Sequence, residues 1–163
     1  VTDSGKLTVS GSTTVTATGA AITLDTSNSA YTGSVSLSGT NVALTNTGAT
    51  SLGASTATGT FSVTSSGAIT DSGKLTITGN TTLSASGQNI TLNEVGSTFG
   101  TLLITGSNVS ITEAAATDLG ASTVTGTLTI IASGAITDSG TLAISGRTTL
   151  TATGYAITLD QAA

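Results

Sequence analysis

The feature that most constrains this chain is that it repeats itself along its whole length. The pentapeptide Val1-Thr2-Asp3-Ser4-Gly5 returns as Ile69-Thr70-Asp71-Ser72-Gly73 and as Ile136-Thr137-Asp138-Ser139-Gly140. The spacings are 69 − 1 = 68 and 136 − 69 = 67. The flanking sequence matches as well. GKLTVSGSTTVTATGAAITLD (5–25) aligns with GKLTITGNTTLSASGQNITLN (73–93) and with GTLAISGRTTLTATGYAITLD (140–160). A period of this length marks an array in which each unit buries its apolar face on the next. Residues 1–163 therefore read as a single array, with repeats 1–68 and 69–135 and a partial repeat 136–163. The chain starts on a repeat boundary and stops inside the third copy, so it reads as a segment of a longer chain or of an assembled fibre.

Within each repeat, short segments alternate apolar residues with Thr or Ser. Leu7 and Val9 oppose Thr8 and Ser10; Val15 and Ala17 oppose Thr14, Thr16 and Thr18. Period two is the signature of a half-buried strand. No stretch carries a 3.6-residue period, and Glu113-Ala114-Ala115-Ala116 is too short for a stable helix and reads as a loop. Charged residues make up only 7%, but mean hydropathy is +0.36 and net charge is −5, the opposite of a disordered composition.

Eight or nine such segments in each repeat leave one or two residues per corner. The hairpin signals of a sandwich, Asn-Gly and Asp-Gly, are missing, and there is no proline. Ser-Gly and Thr-Gly corners suit a chain that bends by less than a full reversal. The expected fold is all-β: a parallel β-helix, or solenoid, with about three strands per coil. Three coils per repeat would give 68/3, or roughly 22–23 residues per coil. The chain would then form about seven coils and a rod roughly 34 Å long at about 4.8 Å per coil. The expected core is the inward set: Leu7, Val9, Val15, Ile22, Leu24, Val35, Leu37, Val42, Leu44, Leu52, Phe61, Val63, Ile69 and their counterparts in the later copies. Substitutions between copies at these positions stay apolar. The segment Thr26–Thr32 is one residue longer than its equivalent, Glu94–Phe99. It reads as a surface excursion in which Tyr31 and Phe99 close over the side of the coil.

Composition excludes several functions. Three basic residues, Lys6, Lys74 and Arg147, are too few and too scattered for a nucleic-acid surface. No apolar run reaches the roughly 20 residues of a membrane span, so no membrane insertion is expected. With no His or Cys and no clustered carboxylates, the expected catalytic, cofactor-binding and metal sites are none, and the chain reads as no enzyme.

The remaining motifs read as structure. Asp3, Asp71 and Asp138 could be calcium ligands, but calcium needs six to eight oxygens. An Asx turn is the simpler reading, with the Asp capping backbone N–H groups and the Gly taking a strained dihedral. Asp3 with Lys6 and Asp71 with Lys74 are candidate surface ion pairs worth at most about 1 kcal/mol. The rows Thr14/Thr16/Thr18, Thr82/Ser84/Ser86 and Thr149/Thr151/Thr153 resemble an ice-binding face, yet as repeat equivalents they return only about every three coils. The sequons at Asn80, Asn89 and Asn108 are no more than this Asn, Ser and Thr content produces by chance. Asn41 and Asn108 are equivalent (108 − 41 = 67) and read as a stack inside the coil.

Taken together, the ITDSG junction, the LGAST-x-TGT-x-x-V/I step (52–63 and its counterpart 119–130) and the Gly-punctuated Thr-rich strands resemble filamentous-haemagglutinin-type exoproteins. These are large bacterial surface adhesins, many exported by two-partner secretion. The resemblance covers the whole chain. It implies a right-handed parallel β-helix shaft, secreted by a Gram-negative bacterium and displayed at the cell surface, where such proteins serve cell adhesion and biofilm formation. It transfers no binding residue. The expected function is thus a structural shaft. The alternatives are a fibre subunit stacking end to end, or a Thr-rich face that binds glycan or ice. Expected partners are neighbouring repeats or end-to-end copies of the chain, and host or bacterial surface glycans through regions outside this segment.

Overall fold

The computed structural model describes residues 1–161; Ala162 and Ala163, where the partial third repeat ends, lie outside the described residues. The chain is an all-β solenoid of about eight turns, with roughly three strands per coil and no helix among the described residues. The first coil holds β1 (Thr8–Val9) and β2 (Thr13–Thr16), and the second β3 (Ile22–Leu24), β4 (Ala30–Tyr31) and β5 (Ser34–Gly39). The third holds β6 (Val42–Asn46), β7 (Thr50–Leu52) and β8 (Ser55–Ala57), and the fourth β9 (Phe61–Ser65), β10 (Ile69–Asp71) and β11 (Leu75–Ile77). The fifth holds β12 (Thr81–Ser84) and β13 (Ile90–Leu92), and the sixth β14 (Leu102–Gly106) and β15 (Val109–Glu113). Then come β16 (Thr117–Leu119), β17 (Ser122–Val124) and β18 (Leu128–Ala132), followed by β19 (Ile136–Asp138), β20 (Leu142–Ile144) and β21 (Thr148–Ala152), with β22 (Ile157–Thr158) opening the next turn. Each strand pairs in parallel with one a coil away, building two ten-stranded sheets on opposite sides of the core and a small β1–β4 sheet.

The register corrects the expected coil. One column runs Ser34↔Ser51↔Thr70↔Thr91↔Ser110↔Thr129↔Thr149. Six steps take the numbering from 34 to 149 (149 − 34 = 115), or about 19 per coil rather than 22–23. A repeat is therefore about three and a half coils, not three. The half coil has a visible consequence: equivalent strands lie in opposite sheets. Strands β2, β5, β7, β8 and β10 belong to one sheet, and their equivalents β12, β14, β16, β17 and β19 to the other. Strands β6 and β9 cross the opposite way, to β15 and β18. Each repeat is thus turned by half a revolution about the rod axis relative to the one before. About eight coils at about 4.8 Å give a rod of roughly 38 Å, slightly longer than expected.

The core is the expected inward set. Val35, Leu37, Leu52, Phe61, Val63, Ile69, Leu75, Leu83, Ile90, Leu92, Leu102 and Ile111 are fully buried in one continuous cluster. Strand alternation explains it, since inward and outward positions change every residue. The expectation fails only in the outermost coils, where Leu7 is 38% exposed and Ile157 and Leu159 each 45%, and where Val9, Val15, Leu142, Ile144 and Leu150 are half-buried.

The expected surface excursion is half right. Its first part is an exposed corner, turned by a left-handed residue in both copies: Asn28 (φ 73°) and Gly96 (φ 92°). Its second part returns to the rod. Tyr31 and Phe99 are 1% and 7% exposed, so they are core residues and not covers on the flank. The buried hydroxyls of Ser29 and Ser97 fasten these corners by accepting the Leu7 and Leu75 N–H groups, each at 3.1 Å.

Candidate functional site

The three ITDSG aspartates hold consecutive coils together. Asp71 accepts the N–H groups of Asn93 and Glu94, both at 3.0 Å. Asp138 accepts those of Asp160 at 2.9 Å and Gln161 at 3.4 Å, while Asp3 holds Thr26 N–H at 3.4 Å. The carboxylates do cap backbone donors, but a coil away and not within their own turn. The strained dihedral expected of the motif glycine is also corrected. Positive φ occurs at Gly19, Gly87 and Gly154, in another corner of the repeat, and not at Gly5, Gly73 or Gly140. Gly73 and Gly140 are small because the Ala54 and Ala121 backbones press against them. Among the described residues the structure records no ion pair of Asp3 with Lys6 or of Asp71 with Lys74. No three metal-ligating side chains cluster among those residues either.

The expected internal Asn stack is outside. Asn41 and Asn108 are exposed, and each Oδ1 accepts the N–H of the threonine one coil on, Thr60 at 2.9 Å and Thr127 at 3.0 Å. Asn89 Oδ1 does the same for Asn108, accepting its N–H at 3.2 Å and its Nδ2 at 3.1 Å. Two of the three sequon asparagines, Asn89 and Asn108, are thus engaged in a corner ladder, and Asn80 is exposed in the corner column of the opposite sheet, one coil on from Thr60.

The threonine rows also need correcting. Equivalent rows do return once per repeat, but the column Ser34–Ser51–Thr70–Thr91–Ser110–Thr129–Thr149 puts an outward hydroxyl residue on every coil it crosses. Different parts of the repeat supply it in turn.

One group stands apart. Glu113 does not lie in a loop; it is the inward last residue of β15 and is 1% exposed. Its Oε1 accepts Phe99 N–H at 2.9 Å and its Oε2 the Thr117 hydroxyl at 2.7 Å. In the first repeat the same place is held by Asn46 (113 − 46 = 67). Its amide bonds Tyr31 N–H and C=O at 3.0 Å, Ala49 C=O at 2.9 Å and Thr50 Oγ1 at 3.1 Å. Thr50 then donates to Ser65 at 2.8 Å. Ala132 replaces Ser65 in the second repeat, so Thr117 turns its hydroxyl to Glu113 instead. Burial raises the Glu113 carboxyl above its ordinary range, and the Thr117 and Phe99 hydrogen bonds pull it part of the way back.

This has a measurable consequence. A carboxyl raised in the folded state binds its proton more tightly there than in the unfolded chain. Its stabilising contribution is complete below the unfolded value and is lost as pH rises through the folded one. The double variant E113N/A132S, which copies the first repeat's trio, should therefore melt higher than the parent at pH 8. The gap should be a few degrees, the response to roughly 1 kcal/mol in a chain of this size. It should close as pH falls towards 4. Melting curves by circular dichroism with a pH-independent gap would contradict this account.

The model of the family described as Repeats of unknown function (DUF5649) matches residues 1–38, 39–105 and 106–163. The second and third matches begin one repeat apart (106 − 39 = 67), the same period counted from a different starting point. No curated protein and no solved structure matches the chain.

Proposed function

The chain belongs to the family described as Repeats of unknown function (DUF5649), and on that premise we propose that it is a length of structural shaft in a large secreted bacterial surface adhesin or fibre. The observation that carries the reading is the unbroken stack. Parallel pairing and one continuous apolar cluster join every coil to the next, which resists bending and leaves no natural hinge. The resemblance to filamentous-haemagglutinin-type exoproteins supplies the surface location and the Gram-negative host. In this reading the segment is not catalytic, takes no cofactor and spaces a binding region from the cell. Each repeat adds about 17 Å, three and a half coils at about 4.8 Å, and turns what it carries by half a revolution.

Two measurements on the protein as its host makes it test this. An antibody to the segment should label intact cells, and removing two repeats should shorten the projection seen by electron microscopy by roughly 34 Å. Labelling only after permeabilisation, or an unchanged length, would refute the shaft. The hydroxyl column is the one observation that favours a second reading, binding of a neutral glycan or of ice along that side. Absence of ice shaping and of glycan-array binding by the segment would remove it.

A further inference from the structure

We propose that these rods associate side by side with other copies of the same chain, through two charge-free sheet faces that the half-coil repeat places on opposite sides. The first face is formed by β6, β9, β12 and β14, paired in register from Val42↔Phe61 to Thr81↔Leu102. Its outward side chains include Thr45, Ser62, Thr64, Thr82, Ser84 and Leu103. The second face, β15, β18 and β21, is its repeat equivalent in the opposite sheet, paired from Val109↔Leu128 to Leu128↔Thr148. Its outward residues include Thr112, Thr129, Thr149 and Ile131, which is 46% exposed where the first repeat has Thr64.

Charge favours a second copy as the occupant. The chain carries net charge −5, so two rods repel in general. Yet these seven strands contain a single charged residue, Glu113, and it points inward. Face to face, two copies meet with no like charges opposed and none desolvated. Their spacing also agrees by construction, since both present rows about 4.8 Å apart, as in stacked sheets that interdigitate small side chains. A soluble glycan is less well served. Neither face carries an aromatic side chain of its own: Tyr31 and Phe99 are in the core, Phe61 faces inward, and the exposed Tyr155 lies in the corner beyond β21.

Area sets the strength. Four strands at about 4.8 Å by five residues at about 3.3 Å give roughly 300 Å² per face. A stable pair needs about 800 Å² from each partner. One face therefore makes a transient contact, and several along a longer array add up by avidity. Because the faces are on opposite sides, each rod can hold two neighbours, so association propagates into a sheet of rods and does not stop at pairs.

The absence of cysteine makes the test clean. Single variants T64C (first face) and T129C (second face) are treated with a short bismaleimide, with Q88C at an exposed corner as the control. Each face variant should cross-link to dimers at least tenfold faster than Q88C. The double variant T64C/T129C should run on to trimers, tetramers and longer chains. Adding I131E to T129C should bring its rate down to that of the control, with melting curves confirming that the fold persists. Rates equal to Q88C, or a double variant that stops at dimers, would overturn the proposal. So would T64C and T129C that stay uncross-linked yet are shielded from maleimide by a neutral polysaccharide, which would give the face to a glycan.

Discussion

Replacing Leu83 with Asp is expected to cost several kcal/mol and to melt the middle coils, while Thr82→Asp beside it should cost less than about 1 kcal/mol. Leu83 is fully buried in β12, in register with Val63 below and Ile104 above. The change forfeits roughly 2–3 kcal/mol of apolar burial and puts a carboxyl, charged or protonated, into an apolar stack between Val63 and Ile104. Thr82 is one residue away but faces outward, because side-chain direction reverses at every step of a strand. Each coil touches only its neighbours, so the damage should spread from the lesion and not begin at the termini. Urea titration followed by circular dichroism reads the cost, and limited proteolysis reads its place, with new cleavage between about residues 60 and 105. Similar losses for the two variants would mean that the alternation does not define the core.

That alternation is why so much of the fold was legible. Inward and outward positions follow from parity alone, and parity survives ignorance of how the coils are arranged. The residues that sequence patterning misplaced are legible on the same rule. Val42 and Leu44 point inward, so Asn41 must point out and Asn46 in. Val109 and Ile111 point inward, so Glu113 must as well. A buried Glu or Asn in phase with the core is the signal that was available for the Glu113 cluster.

The number of coils per repeat was a different matter. Identity between copies guarantees the same local path, but not that the path closes on a whole number of turns. That depends on how many residues each corner absorbs, and a corner's depth leaves no mark in composition. The steps between paired residues vary from 17 (Ser34 to Ser51) to 22 (Thr13 to Val35) within one repeat. The partners of Asp71 were hidden for the same reason: they lie 22 and 23 residues on, at a distance only the register defines.

Where coils come closest, glycine is required for space, and Gly100→Ala and Gly48→Ala should therefore change stability in opposite directions. Gly59, Gly79 and Gly100 stack at one corner of three successive coils. A Cβ on Gly79 would sit 2.6 Å from the Gly59 carbonyl oxygen, and one on Gly100 would overlap the carbonyl oxygen of Gly79. The obstacle is backbone tied into both ladders, so relief means parting the coils. The expected cost of Gly100→Ala is about 1–3 kcal/mol, the usual range for overpacking. Gly48 has nothing within 4 Å of its Cβ position and no positive φ, and the second repeat already carries Ala115 there (115 − 48 = 67). Removing its excess freedom in the unfolded chain should stabilise by about 0.4–1 kcal/mol. The first repeat keeps Gly33 at the position of Gly100, stacked in the same way on Gly11. Glycine is thus kept between copies at this corner, where coils touch, and exchanged for alanine at Gly48, where they do not; Gly19, Gly87 and Gly154, which also have open space, are kept for their positive φ. Chemical denaturation of both variants decides it, and a destabilised Gly48→Ala or a neutral Gly100→Ala would show that coil contact does not govern these positions.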